Sequence, residues 1–114
     1  MPYISTHVST SLPPEKEISI KEKLGKAIEL IPGKSEQWLM VEFRDDCRLY
    51  FRGKNDQPAA FVEVKALGNI TDDASEKLTA AICGILYEEL NISQDHIYVK
   101  YETTRQWGWN GMNF

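Results

Sequence analysis

The sequence predicts an α/β fold: two βαβ units sharing one four-stranded mixed sheet, with two helices on one face and short extra strands. Three patterns predict it. Apolar residues recur at helical spacing twice, once in each half of the chain. Each stripe is flanked by short segments rich in β-branched and aromatic residues. Both halves run strand, helix, strand, an order that a parallel crossover satisfies by packing the helix back onto the sheet.

Pro2 to Val8 reads as a strand, with Tyr3, Ser5 and His7 on one side and Ile4, Thr6 and Val8 on the other. Pro13-Pro14 opens the first helix, because Pro fits a first turn whose N–H needs no partner. Ile20, Leu24, Ala27, Ile28 and Ile31 form its apolar stripe, and Pro32-Gly33 stops it. Gln37 to Arg44 follows as a strand, and its unbroken run Trp38-Leu39-Met40-Val41 suits cover on both faces. Arg48 to Arg52 is expected to pair with the segment from Pro58 as a hairpin around Gly53-Lys54-Asn55-Asp56.

Pro58 to Leu67 is the next strand. Thr71-Asp72-Asp73 supplies a cap and negative charge to the second helix start. Leu78, Ala81, Ile82, Ile85 and Leu86 form its stripe, with Asn91 as the C-terminal cap. His96 to Tyr101 is the matching last strand. With both helices on one face, Phe43, Val62, Val64 and Val99 are expected on the other, where a symmetric partner would cover them. The tail from Gln106 to Phe114 holds Trp107, Trp109 and Phe114, a poor set to leave in water, so it is expected to pack at a subunit contact and partly line a pocket.

Residues 1–114 read as one domain. The net charge is -4, and Lys and Arg are dispersed, which argues against nucleic acid and anionic membrane surfaces. No run approaches the ~20 apolar residues of a membrane span, and no leader is visible. Cys47 and Cys83 do not resemble a disulfide framework, so a reduced cytoplasmic setting is expected, with leaderless secretion left open. His7 and His96 are expected in separate strands without ligand spacing, so no metal and no other cofactor is expected.

Pro2 draws the chemistry. Initiator Met is commonly removed before a small residue, and Pro2 would then carry a secondary amine at the head of a strand. Inside the chain its nitrogen is an amide without basicity. As a neutral amine it can take a proton from carbon.

Several short stretches then combine: Pro2 before a strand, Pro32-Gly33-Lys34 after the first helix, Ala66-Leu67-Gly68 ending a strand, Ile92 to Tyr98 before the last one, and Gly108-Trp109-Asn110 near the end. In this order and spacing the chain resembles the macrophage migration inhibitory factor family of the tautomerase superfamily, along nearly its whole length. The resemblance implies a β-α-β-β-α-β protomer, a homotrimer with a central channel, and sites at subunit boundaries. It implies that Pro2 is the base of a keto-enol tautomerase and that Lys34 binds the substrate carboxylate or enolate oxygen. Leu67 would offer a backbone contact, Tyr98 would come from the adjacent subunit, and Trp109 and Phe114 would frame a slot for an aromatic ring. The implied partner is a small aromatic 2-oxo acid or enol, phenylpyruvate-like or dopachrome-like. Electrostatics agrees: one cation about 6 Å from the amine, at an effective dielectric of ~20, disfavours the ammonium by roughly 2–3 kcal/mol before screening.

The chain also departs from that pattern. Lys100 stands where the best-known members carry Asn, and it shares a strand face with Tyr98. A second cation there would favour a carboxylate, unless it turns outward to an acidic neighbour. Trp107 replaces a small aliphatic residue and would narrow the slot or deepen its aromatic wall. Ala59 and Val62 take the places of a Cys-x-x-Cys pair, so no thiol-disulfide activity is expected. Arg48, Phe51 and Arg52 occupy a place where Phe-Gly-Gly is frequent, so that edge is expected to differ. Two other functions remain beside the tautomerase: a cytokine-like binding protein with a vestigial pocket, and dehalogenation or hydration, for which His7, Arg44 and Arg105 form no clear set.

Overall fold

A computed structural model describes residues 1–114. The elements are β1 (Pro2–Val8), α1 (Pro14–Ala27), β2 (Met40–Arg44), β3 (Ala60–Leu67), α2 (Asp72–Leu90), β4 (Ile97–Thr104), β5 (Gly108–Trp109) and β6 (Met112–Asn113). The four long strands form one sheet in the order β2-β1-β3-β4. β1 runs parallel to β2 and β3 parallel to β4, while β1 and β3 are antiparallel. The chain thus forms two βαβ units joined through the antiparallel β1–β3 pair, the mixed α/β architecture expected.

Both helices lie on one face, and the core sits between them and the sheet. Ile20, Leu24 and Ile28 from the first helical segment meet Leu78, Ile82 and Leu86 of α2 over Ile4, Val62 and Val64. The helix ends follow their residues. Thr71 Oγ1 accepts the Ala74 N–H at 3.1 Å, and Asn91 closes α2 in the left-handed region at φ 54°. Gly33, at φ 83°, lets the chain turn after Pro32. Between the helices, Glu89 receives Lys23 at 2.7 Å and Ser19 at 2.8 Å.

Four expectations need correction. The strand placed at 37–44 starts only at Met40, because Glu36–Trp38 winds into a 3₁₀ turn. The hairpin between Arg48–Arg52 and Pro58 does not form. Instead Phe51 and Lys54 exchange hydrogen bonds of 2.7 and 3.0 Å around a two-residue turn. His96 lies in a 3₁₀ turn before β4, not in the strand, and β4 runs on to Thr104.

The fourth concerns the faces. Phe43, Val62, Val64 and Val99 belong to the helix-covered side: Val62 and Val64 are fully buried, and Phe43 and Val99 pack against the core. The other face carries Tyr3, Ser5, His7, Glu42, Phe61, Glu63, Lys65, Tyr98 and Lys100, because side chains alternate along each strand. It is polar with scattered aromatics, so no continuous apolar surface demands cover. No helix is long and apolar enough to cross a membrane.

Candidate functional site

At one end of the sheet, Pro2 starts β1 directly beside Ala66, near the end of β3. Pro2 is buried. The turn at Gly33 carries Lys34 to the same place, where its Nζ donates to the Leu67 carbonyl at 2.7 Å. The Leu67 N–H in turn donates to the Met1 carbonyl at 3.0 Å. Thus Pro2, Lys34 and Leu67, three residues distant in sequence, meet at one corner. The α-amino group of Met1 is pushed below its ordinary value, first by burial and then by the Lys34 charge and hydrogen bond. An amine in this corner is therefore biased toward its neutral form.

A cleft of about 530 Å³ opens beside it, lined by Met1, Pro2, Tyr3, Trp38, Met40, Trp107 and Trp109 among others. Its rim is built by the tail. β5 and β6 pair as a small hairpin. Asn110 and Gly111, at φ 53° and 80°, make its turn, the two-residue type that Asn-Gly favours. The Phe114 N–H donates to the Trp107 carbonyl at 3.1 Å and brings the terminus back. Trp109 stacks on Phe114 with centroids 5.8 Å apart, and Trp38 meets Trp109 edge-on at 5.1 Å. Such offset and edge contacts fix ring positions while leaving faces open.

Trp38 was not among the expected site residues. Reading 37–44 as a doubly covered strand assigned it to the core, whereas the 3₁₀ turn leaves it 38% exposed against the tail. The hairpin had a legible signal in Asn110-Gly111, which the aromatic content of the tail overshadowed.

Tyr98 and Lys100 stand apart. Tyr98 pairs in register with Phe61, and Phe61 with His7, at the far end of the sheet from Pro2. Thr103, the partner of Ala66, lies five positions beyond Tyr98 along β4, roughly 16–17 Å of strand. Within one chain they do not reach the cleft. Tyr98 is 59% exposed and packs edge-on against Phe51 at 5.4 Å, while Lys100 pairs with Glu102 at 3.3 Å. No group of His, Cys, Asp or Glu is arranged to hold a metal ion.

Residues 1–114 match the family described as Macrophage migration inhibitory factor (MIF). The chain belongs to the MIF family. Among curated relatives, the Macrophage migration inhibitory factor of Meriones unguiculatus is 30% identical and that of Mus musculus 29% identical, each aligned over 97% of this chain and 95% of the relative. Among solved structures, MIF2 of Leishmania major superposes with a TM-score of 0.92 at 33% identity, covering 100% of this chain and 97% of that one. The MIF homologue of Prochlorococcus marinus gives 0.86 at 30% identity, covering 98% of each. The MIF fold thus extends over the whole chain, and the Pro2 corner, the cleft and the aromatic tail are features of this MIF-family chain.

Proposed function

We propose that the protein is a cofactor-independent keto-enol tautomerase for aromatic 2-oxo acids, phenylpyruvate-like or dopachrome-like, working as a homotrimer. The observation that carries the reading is the meeting of Pro2, Lys34 and Leu67 at the edge of an aromatic cleft. Removal of Met1 converts the Pro2 amide nitrogen into a secondary amine. Burial and the Lys34 cation lower the pKa of the Met1 α-amine in this corner, and the same influences would act in the same direction on a Pro2 amine.

In the enolising direction Pro2 takes a proton from the carbon beside the carbonyl. The C–H electron pair becomes the C=C bond, and the carbonyl pair moves onto oxygen. The prolyl ammonium then gives a proton to that oxygen. Ketonisation is the reverse. Lys34 gives one of its three N–H donors to Leu67, leaving two for the carboxylate or the enolate oxygen. Trp38, Trp107, Trp109 and Phe114 receive the ring. Tyr98 and Lys100 contribute only if a neighbouring protomer brings the far end of its sheet to this cleft. Their exposure on the uncovered face supports that arrangement.

A second reading, a partner-binding protein with an idle pocket, is favoured for any chain that keeps Met1, since Pro2 nitrogen is then an amide. Intact mass combined with ketonisation of enol-phenylpyruvate by wild type and Pro2→Gly separates the two. Loss of Met1, turnover by wild type and a strongly impaired variant support the enzyme. A processed wild type that is inactive on both substrate types turns the reading toward binding.

A further inference from the structure

We propose that Tyr3 is a substrate-positioning residue of the cleft, locked in place by a polar clamp centred on Glu42. The inference rests on the tautomerase reading for its substrate class. The geometry is independent of it.

Glu42 collects three donors. Its Oε1 accepts the Tyr3 hydroxyl at 2.5 Å and the Ser5 hydroxyl at 3.2 Å, and its Oε2 faces Arg44 Nη2 at 3.4 Å. Ser5 is only 3% exposed, and its Oγ also lies 3.0 Å from His7 Nε2. A hydroxyl has one proton, so Ser5 gives it to the carboxylate and accepts from the imidazole. Lys65, across the strand pair, stands 5.9 Å from the centre of the Tyr3 ring. Charge-assisted bonds of this kind are short and directional. The bond to Glu42 holds the Tyr3 hydroxyl over β2.

The position of the clamp ties it to the cleft. Tyr3 follows Pro2 directly, and both line the cleft. Met40, the register partner of Tyr3, lines it too, as do Trp38 and Leu39, which lead into β2. Glu42 sits two residues further along β2. The Tyr3–Glu42–Ser5 contacts therefore tie the strand that carries Pro2 to the strand that follows the Trp38 turn. Loosening them alters how the ring of the substrate is held, not the amine that moves the proton.

The test uses the processed chain and the variants Tyr3→Phe, Glu42→Leu, Glu42→Gln and the Tyr3→Phe/Glu42→Leu double. Two readouts are taken: kcat and KM for enol-phenylpyruvate, and quenching of tryptophan fluorescence by cinnamate, which reports binding whether or not turnover occurs. Tyr3→Phe keeps the ring, so it serves as the variant with least risk to folding. Loss of one charge-assisted bond is expected to raise KM and the cinnamate Kd about five- to tenfold in Tyr3→Phe and Glu42→Leu, with kcat within about a factor of two. Glu42→Gln, which can still accept from Tyr3, should recover most of the affinity. The double variant should be no weaker than the weaker single one, as expected for two residues acting as one unit. Multiplying losses, unchanged binding in Tyr3→Phe, or a fall in kcat at constant KM would each overturn the clamp. Binding without turnover in wild type removes the tautomerase and leaves the clamp testable by fluorescence. No cinnamate binding by wild type overturns the clamp as well.

Discussion

The two faces of the sheet are made from the same strands and differ in almost everything else. The helix side is closed: Ile4, Val62, Val64, Leu78 and Ile82 are at most 1% exposed, in one contiguous core. The open side holds Tyr3, Ser5, Glu42, Lys65, Tyr98 and Lys100, with exposed charges meeting in pairs and chains. One face stores stability. The other, with the sheet end where Pro2 lies, holds the polar and aromatic groups of the proposed site. A substitution on one side is therefore expected to leave the property of the other largely intact.

The largest effect should come from the N-terminus itself. A preparation that keeps Met1 is expected to lose about 10²–10⁴-fold in ketonisation relative to the processed chain, the range a positioned general base supplies. Its melting temperature should stay close to that of the processed chain. Comparing the two by mass spectrometry, kinetics and calorimetry sharpens the division: a large stability difference would mean that Met1 belongs to the closed side.

Next is Leu78→Ala, expected to cost about 2–5 kcal/mol of unfolding free energy by leaving a cavity beneath α2. Folded protein should keep near-normal kcat. Denaturant unfolding and kinetics on the same sample check both halves. Lys34→Ala should do the reverse, lowering kcat/KM about 10–100-fold while moving stability little.

The smallest effect concerns Glu89, which holds the two helices together. The Lys23 ammonium, foremost, and the Ser19 hydroxyl push its carboxyl down to about 2. A depressed acid stabilises the fold above its unfolded value, near ~4.3, and that contribution fades as pH falls through the folded value. Glu89→Gln should therefore melt lower than wild type at neutral pH. The gap should close between about pH 4.5 and 2. A gap that is constant across that window would assign Glu89 no role in acid stability.

What the sequence could and could not disclose follows from the same contrast. The helices were legible because Ile20, Leu24, Leu78 and Ile82 repeat at the helical period, and only a buried stripe produces that. Strand alternation is weaker information. It divides Tyr3, Ser5 and His7 from Ile4, Thr6 and Val8, but it does not say which side the helices take, so the burial of Val62 and Val64 beneath the helices is not legible from it. The run Trp38-Leu39-Met40-Val41 has no alternation at all, which hid a turn inside an expected strand. Pro2, Lys34 and Leu67 carry no periodic signal. They could be joined only by their resemblance to a family pattern, and the fold then brings these three together at one corner. Tyr98 and Lys100 remain remote from that corner within one chain, because the register of β4 on β3 sets them toward the other end of the sheet.

The most direct measurement is the pH dependence of kcat/KM for the processed wild type and for Lys34→Met. An amine base works when neutral, so kcat/KM rises as pH climbs through the pKa of the free enzyme. In wild type that limb should lie below the ordinary range of an α-amine, and Lys34→Met should move it upward, because a neighbouring cation disfavours the ammonium. A limb at the same pH in both proteins would mean that Lys34 does not tune the base, and a profile with no limb would remove Pro2 from that role.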